Sequence, residues 1–160
     1  MKNELVWEYN AALKMLLDTV VKCPDELWES VEYENAFWRI AYHALFYTAL
    51  YLSESPDKFV PWDKHILNYN SLDTVTHDQQ PIIINAVYLK NDIIDYAGCI
   101  SDSLENMVSD KNNNEQCGFS WIRMNRLQLH LYNIRHLQHH VGQLTERLHR
   151  AGIKGIKWER

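Results

Sequence analysis

The chain has 160 residues, of which 46% are apolar and 23% charged, values typical of a folded globular protein and not of a disordered one. It contains only 5 glycines and 4 prolines, where average usage would give roughly 19 of the two together, so a turn-rich β-sandwich or β-barrel is disfavoured. The net charge of −5 divides unevenly, because residues 1–120 carry 8 Lys and Arg against 19 Asp and Glu, and residues 121–160 carry 8 against 2. Since the basic residues are dispersed in a chain that is acidic overall, no nucleic-acid-binding surface is expected.

The first two predicted helices flank a short acidic connector. The first helix covers residues 3–21 and ends before Pro24, because proline disfavours the helical conformation in the residue that precedes it. Residues 25–34 form the connector, in which we expect one turn of helix. The second helix covers residues 35–53, and its middle, FWRIAYHALFYTALYL, is apolar almost all round. Arg39 is its one charged residue, so most faces of this helix should be buried.

A long connection over residues 54–80 follows the second helix and shows little periodicity. Loops of this length are uncommon inside a domain and often act as lids or binding loops. The third helix is predicted over residues 81–107, where apolar residues recur at steps of three and four for about seven turns. Either Thr76 or Asp78 would supply its N-terminal cap.

The fourth helix follows a polar loop over residues 109–118. It begins between residues 120 and 125 and continues to Arg150, just before Gly152 and Gly155. Four helices of these lengths predict an all-α fold, a four-helix bundle. The long connection can run the full length of such a bundle, which allows the second and third helices to be parallel with a crossover between them.

The cysteines and the N-terminus indicate where the protein works. Cys23, Cys99 and Cys117 are widely separated and include no CxxC pair, so neither a disulfide framework nor a cysteine-rich zinc site is expected. The N-terminal sequence MKNELVWEYN is polar and acidic, unlike a signal peptide. No apolar stretch approaches the roughly 18 residues of a membrane span. We therefore expect a soluble cytoplasmic protein with a single domain over residues 1–160 and no membrane partner.

Two histidines of the fourth helix have the spacing of a metal chelate. His136 and His140 are four residues apart, so they lie one above the other on one face of the helix. That face borders the apolar stripe of Leu137 and Val141, whereas His139 points toward solvent. The pair supplies two imidazoles to one point, and a metal site needs at least one further ligand.

His43 is the third candidate ligand, because it lies on an apolar line of the buried second helix and must point into the fold. An unpaired buried polar group costs about 1–3 kcal/mol, so His43 needs a metal, a tyrosine hydroxyl or a carbonyl as its partner. Three imidazoles would leave one coordination position for water or a thiol, whose pKa the metal would lower, as in catalytic zinc sites. The alternative interpretation is that these histidines are ordinary core or surface residues.

The remaining motifs are weaker. His65 and His77 in the long connection and His130 at the start of the fourth helix are expected to be surface or loop residues, although Trp62 and His65 could cover an open metal face. A single ExxH pair at residues 146–149 is too little for a di-iron carboxylate site, which needs two such motifs. No glycine-rich phosphate loop or nucleophile elbow offers a rival chemistry.

The segments around these histidines resemble the DinB-like family, a group of damage-inducible-type metalloenzymes. The resemblance is carried by FWRIAYHALFYTALYL around His43 and by NIRHLQHHVGQL, in which His136 and His140 precede Gly142 and Gln143. It extends over essentially the whole chain in helix order and length. It implies an up-down-down-up four-helix bundle and one divalent metal, nickel or zinc, bound by the three histidines.

Bundles related to this family include bacillithiol S-transferases and the mycothiol-dependent maleylpyruvate isomerase, in which the metal activates a low-molecular-weight thiol. The resemblance thus implies a homodimeric, metal-dependent enzyme, similar to a thiol S-transferase, acting on a small-molecule substrate. Tyr47, one turn after His43, and Gln143, near His140, are candidates for contacts to the substrate or to the ligands. A non-catalytic metal-binding or stress-response protein and a structural bundle with incidental histidines are the alternatives.

Overall fold

The computed structural model describes residues 1–109 and 113–159, and its regular structure is helical. These residues contain no β-strand and only two isolated β-bridges. The protein is therefore all-α, as predicted. Part of the predicted polar loop, residues 110–112, and Arg160 lie outside the described residues. The helices are α1 (Lys2–Lys22), α2 (Asp25–Trp28), α3 (Phe37–Leu52), a 3-10 helix (Pro56–Lys58), α4 (Lys90–Met107) and α5 (Arg126–Arg150).

Both ends of α5 have residues that are typical of helix termini. The Asn125 side chain accepts a hydrogen bond from the Gln128 backbone nitrogen at 2.8 Å, and the Gln128 side chain accepts one from the Asn125 nitrogen at 2.9 Å. This reciprocal pair is a capping box, which fixes the first turn. Gly152, just after the helix, has a φ of 82°, a left-handed conformation that glycine adopts without steric cost.

The predicted third helix is wrong in its N-terminal part, since α4 begins at Lys90 and residues 81–89 are not helical. The backbone nitrogens of Asn85 and Ala86 both donate to the Tyr69 hydroxyl at 2.8 Å. Because those two N–H groups are bonded to a side chain, they do not take part in a helical hydrogen-bond ladder. From this non-helical chain Ile84, Val87 and Tyr88 contact the core, whereas Ile83 and Leu89 are exposed.

The start of α4 is fixed by its own sequence. The Asp92 carboxylate accepts a hydrogen bond from the Leu89 backbone nitrogen at 2.9 Å, which satisfies an N–H group at the helix end. Neither Thr76 nor Asp78, the predicted caps, lies at this terminus. The connection between α3 and α4 accordingly covers residues 53–89 and is longer than the predicted 54–80.

The helix α3 is buried on nearly all sides, as its composition predicted, with 13 of its 16 residues buried. It packs against both α4 and α5, and α1 also packs against both of them. This arrangement places α3 next to α5 along the core. No helix in the described part of the chain combines the length and apolar character needed to cross a lipid bilayer.

Candidate metal centre

The three predicted histidines meet between α3 and α5. Nε2 of His43 lies 3.1 Å from Nε2 of His136, which in turn lies 3.1 Å from Nε2 of His140. One ligand atom from each of the three residues lies within 4.8 Å of the other two. The juxtaposition follows from the helix pair: His136 and His140 share one face of α5, and that face meets the side of α3 that carries His43.

These distances fit a first-row divalent metal. Imidazole nitrogens bind zinc at about 2.0–2.1 Å, so two nitrogens at tetrahedral angles are about 3.3–3.4 Å apart. The two observed separations of 3.1 Å are only slightly shorter. The three histidines therefore lie close enough to bind a metal ion with small side-chain adjustments.

Hydrogen bonds on the far side of two rings fix their orientation. Nδ1 of His43 lies 2.6 Å from the backbone oxygen of Asn70, and Nδ1 of His140 lies 2.7 Å from Oε1 of Gln143. Because an oxygen of this kind can only accept, each Nδ1 must carry the hydrogen. Nε2 of both rings then presents a lone pair to the centre of the cluster, as a metal ligand requires.

His136 completes the cluster and is the least well paired of the three. Its Nε2 faces the lone pairs of both other rings, and its Nδ1 is buried without a hydrogen-bond partner among the described residues. A single hydrogen on this Nε2 would have to be shared between two acceptors. In the neutral, metal-free cluster the ring nitrogens are thus incompletely satisfied, and a cation at the centre would relieve that deficit.

Burial keeps these imidazoles neutral. Loss of hydration lowers the pKa of His43 to about 4 and the pKa of His136 to about 3, helped in each case by the neighbouring His140. Burial also lowers the pKa of His140, although its bond to Gln143 opposes the shift. Because metals bind the neutral ring, all three side chains are in the binding form at neutral pH.

Both predicted accessory residues lie at the cluster. The ring of Tyr47 lies 4.8 Å from that of His43 and 5.7 Å from that of His136 between centroids. The Tyr47 hydroxyl accepts a long hydrogen bond, 3.5 Å, from Nδ2 of Asn70. Gln143 is exposed, yet its side chain bonds directly to His140. Whether either residue contacts a substrate stays a prediction.

One of the other histidines, His130, is not the surface or loop residue that we expected. His130 is only 5% exposed, and its Nδ1 lies 3.1 Å from the hydroxyl of Tyr9 on α1. His65 is half-buried, with Nδ1 2.6 Å from the Tyr42 hydroxyl. The expectation for His130 failed because its tyrosine partner is distant in sequence, whereas His65 lies in the non-helical connection, as expected. The expectation for His77 is confirmed, since it is exposed.

The connection contacts the cluster through a residue that sequence reasoning missed. Trp62 stacks on Tyr96, with centroids 4.7 Å apart, and His65 bonds to Tyr42, so the expected covering residues are engaged elsewhere. Asn70 instead supplies the carbonyl that orients His43. No local signal identifies it, because every residue has a backbone oxygen.

His139 is exposed, as the helical geometry predicted, and its ring packs at the edge of the cluster, 5.0 Å from that of His140 between centroids. Three ring nitrogens converging from two helices make a site that could hold a metal ion. We compared the chain with models of protein families, with curated proteins and with solved structures, and none of the three comparisons gave a match.

Proposed function

We propose that the protein is a metal-dependent enzyme in which Nε2 of His43, His136 and His140 bind one divalent ion, nickel or zinc. The observation that carries the proposal is the convergence of these three atoms, two of them with lone pairs directed by a bonded Nδ1. The resemblance of the flanking segments to DinB-like proteins supports the same ligand set. Imidazole ligands suit both metals, so availability would decide between them.

The proposed architecture is a DinB-like four-helix bundle with up-down-down-up topology. Its four helices would be α1, α3, α4 and α5, each of which packs against at least two of the others. The α3 helix has 16 residues and is therefore about 24 Å long. The connection over residues 53–89 has ample length to return along it, which supports a crossover that makes α3 and α4 parallel.

The proposed reaction is S-transfer, or a related reaction, between a small molecule and water or a low-molecular-weight thiol. When bound, the metal would lower the pKa of the water or thiol and so supply a nucleophile at neutral pH. The chain's own contribution is orientation: Asn70 and Gln143 hold the rings of His43 and His140 so that their lone pairs stay directed at one point. The Tyr47 ring shields one side of the cluster from water.

We also propose that the protein is a homodimer in the cytoplasm, with a small molecule or thiol as its other partner. Large apolar side chains on its surface support self-association, because they would be buried by a second copy. Examples are Trp7, which is 50% exposed, Leu131, which is 55% exposed, and Trp121, which is 59% exposed.

Metal analysis of purified, tag-free protein tests the binding proposal. We expect about one nickel or zinc ion per chain and an increase in melting temperature when either metal is added to stripped protein. The His43→Ala variant should lose both effects while its circular dichroism spectrum still shows a helical fold. His139→Ala is the matched control, since it removes an exposed histidine beside the cluster. If the wild type held no metal and its melting temperature did not change when metal was added, the proposal would be refuted.

Turnover separates an enzyme from a non-catalytic metal-binding protein, because both would use the same three ligands. Metal-loaded and metal-stripped protein should be incubated with low-molecular-weight thiols and a model electrophile. We expect saturable thiol binding and product formation only with the metal present. Equal S-transfer by the stripped protein would contradict a metal-dependent mechanism, and metal-dependent thiol binding without product would favour the non-catalytic alternative.

A further inference from the structure

The only charged residue of α3, Arg39, is buried beside Asp73, whose negative charge offsets part of the cost of burial. Its side chain is 9% exposed, although it carries a guanidinium group that water solvates strongly. Nη2 donates one hydrogen bond, and Nε is buried with no hydrogen-bond partner among the described residues. An apolar residue would fill the same space without the cost of burying a charge. A role for Arg39 is indicated by what its hydrogen bond to Asp73 holds in place.

That hydrogen bond fixes the part of the connection that reaches the candidate metal centre. Nη2 of Arg39 donates to the backbone oxygen of Asp73 at 3.0 Å. Nδ2 of Asn35, just before α3, donates to the backbone oxygen of Leu72 at 3.0 Å. Two consecutive carbonyls of the connection are thus tied to side chains at the start of α3.

Leu72 and Asp73 closely follow Asn70, whose carbonyl orients the predicted ligand His43. The backbone oxygen of Asn70 accepts a hydrogen bond of 2.6 Å from Nδ1 of His43, and the segment between is closed by a bond of 3.1 Å from the Asp73 nitrogen to Oγ of Ser71. Asp73 is three residues from Asn70 and is bonded back to Ser71, so we expect movement at Asp73 to displace the Asn70 oxygen. The His43 ring would then lose the bond that directs Nε2 toward the other two histidines.

We propose that Arg39 is a positioning residue for the metal centre: by holding Asp73, it places the Asn70 carbonyl against His43 and so sets the direction of the His43 lone pair. This inference rests on the proposed function, because it assumes that His43 binds the metal. It assigns the α3–α4 connection a role in metal affinity that is exerted through a main-chain atom.

A direct electrostatic effect of Arg39 would have the opposite sign. The guanidinium lies one helical turn before His43, and a positive charge there repels a cation. If charge were its only influence, its removal would tighten metal binding. If position is its influence, its removal weakens binding, since loss of a group that orients a ligand typically costs 10–100-fold in metal affinity.

The test compares three variants by competition of metal-stripped protein with a chelator for nickel or zinc. We expect Arg39→Gln to bind the metal about 10-fold more weakly and Arg39→Lys, which can still donate to Asp73, to recover most of the loss. Arg126→Gln is the matched control, because Nη1 of Arg126 donates to the backbone oxygen of Ser53 at 3.1 Å, at the far end of the same connection. Its metal affinity should equal that of the wild type.

A second measurement follows the His43 ring without any metal. In spectra of protein labelled with ¹⁵N-histidine, the Nδ1–H protons of His43 and His140 should exchange slowly with water in the wild type. Arg39→Gln should speed the exchange of the His43 proton and leave that of His140, which is bonded to Gln143, unchanged. If Arg39→Gln does not fold, Asn35→Ala removes the neighbouring tie to Leu72 and should weaken metal binding in the same direction.

Unchanged or tighter metal binding by Arg39→Gln would overturn the inference, as would an equal loss in Arg126→Gln or no recovery in Arg39→Lys. An unaltered exchange rate of the His43 proton would overturn it even without metal. Failure of the wild type to bind metal would refute the proposed function. If the wild type binds metal and Arg39→Gln binds it with the same affinity, only the role of Arg39 is refuted.

Discussion

The helix α5 buries histidines in two different ways. Near its N-terminal end, His130 is paired with the hydroxyl of Tyr9, 3.1 Å from Nδ1. Further along, His136 faces His43 and His140 at 3.1 Å, nitrogen to nitrogen. Burial has the same effect on both regions, since it lowers the pKa of His130 to about 4 and that of His136 to about 3.

The two regions differ in the hydrogen-bond partners available to the ring nitrogens. A hydroxyl both donates and accepts, so the Tyr9 hydroxyl can bond to Nδ1 of His130 in either direction, and it also lies 3.4 Å from the backbone oxygen of His130. In the three-histidine cluster, the hydrogens of His43 and His140 are engaged with oxygens on their far sides, and three nitrogens face one point. Burial and a lowered pKa therefore do not identify a metal ligand, whereas converging lone pairs do.

Substitution at each region should separate metal binding from stability. We expect His136→Ala to reduce metal affinity by at least about 100-fold, because it removes a ligand and not only its support. His130→Phe should keep the wild-type affinity but lower the free energy of unfolding by about 0.5–1.5 kcal/mol, since the buried Tyr9 hydroxyl loses its bond to Nδ1 and keeps the longer one, 3.4 Å, to the backbone oxygen of residue 130. Calorimetric metal titration and urea denaturation measure the two effects. Equal loss of metal binding in both variants would remove the distinction between the regions.

Acidification should destabilise the metal-free protein. The pKa values of His43, His130 and His136 are lowered to about 4, 4 and 3 from 6.5. Between these values and 6.5 the unfolded chain binds more protons than the folded one, so the free energy of unfolding is highest above pH 6.5 and falls as the pH is lowered. Urea denaturation across this range measures the slope, which His130→Phe should make shallower by removing one titrating group. A flat profile would contradict the neutral, buried state of these rings.

Loss of a supporting hydrogen bond should have the smallest effect. Gln143→Ala removes the acceptor of the His140 Nδ1–H group, and we expect metal affinity to fall about 10-fold. His139→Ala, a change at an exposed ring on the same turn, should leave the affinity unchanged. Chelator competition on both variants gives the comparison. Equal affinities in Gln143→Ala and the wild type would show that the orientation of His140 does not depend on this bond.

The sequence predicted a helix correctly where the apolar residues that show helical spacing also pack against the rest of the fold. The one large error, the start of α4, arose because Ile82, Ala86 and Leu89 have helical spacing although residues 81–89 are not helical. What prevents the helix is the Tyr69 hydroxyl, which takes the N–H groups of Asn85 and Ala86. A competing bond from a residue outside the segment leaves no trace in the local pattern.

The three histidines of the site could be predicted because local helix geometry determines which way they face. His136 and His140 share a helix face by geometry alone, and His43 had to be inward because α3 is apolar on every side. These local rules brought three residues together from two distant segments. The contacts that orient or satisfy the rings, Asn70 for His43 and Tyr9 for His130, depend on long-range packing and have no sequence signature.

The most direct test of the three-histidine centre is diffraction from crystals grown with nickel or zinc, with anomalous data collected at the absorption edge of that metal. We expect one strong anomalous peak per chain, about 2.0–2.2 Å from Nε2 of each of His43, His136 and His140. A peak at other residues, or no peak while the three rings remain in contact with one another, would contradict the assignment.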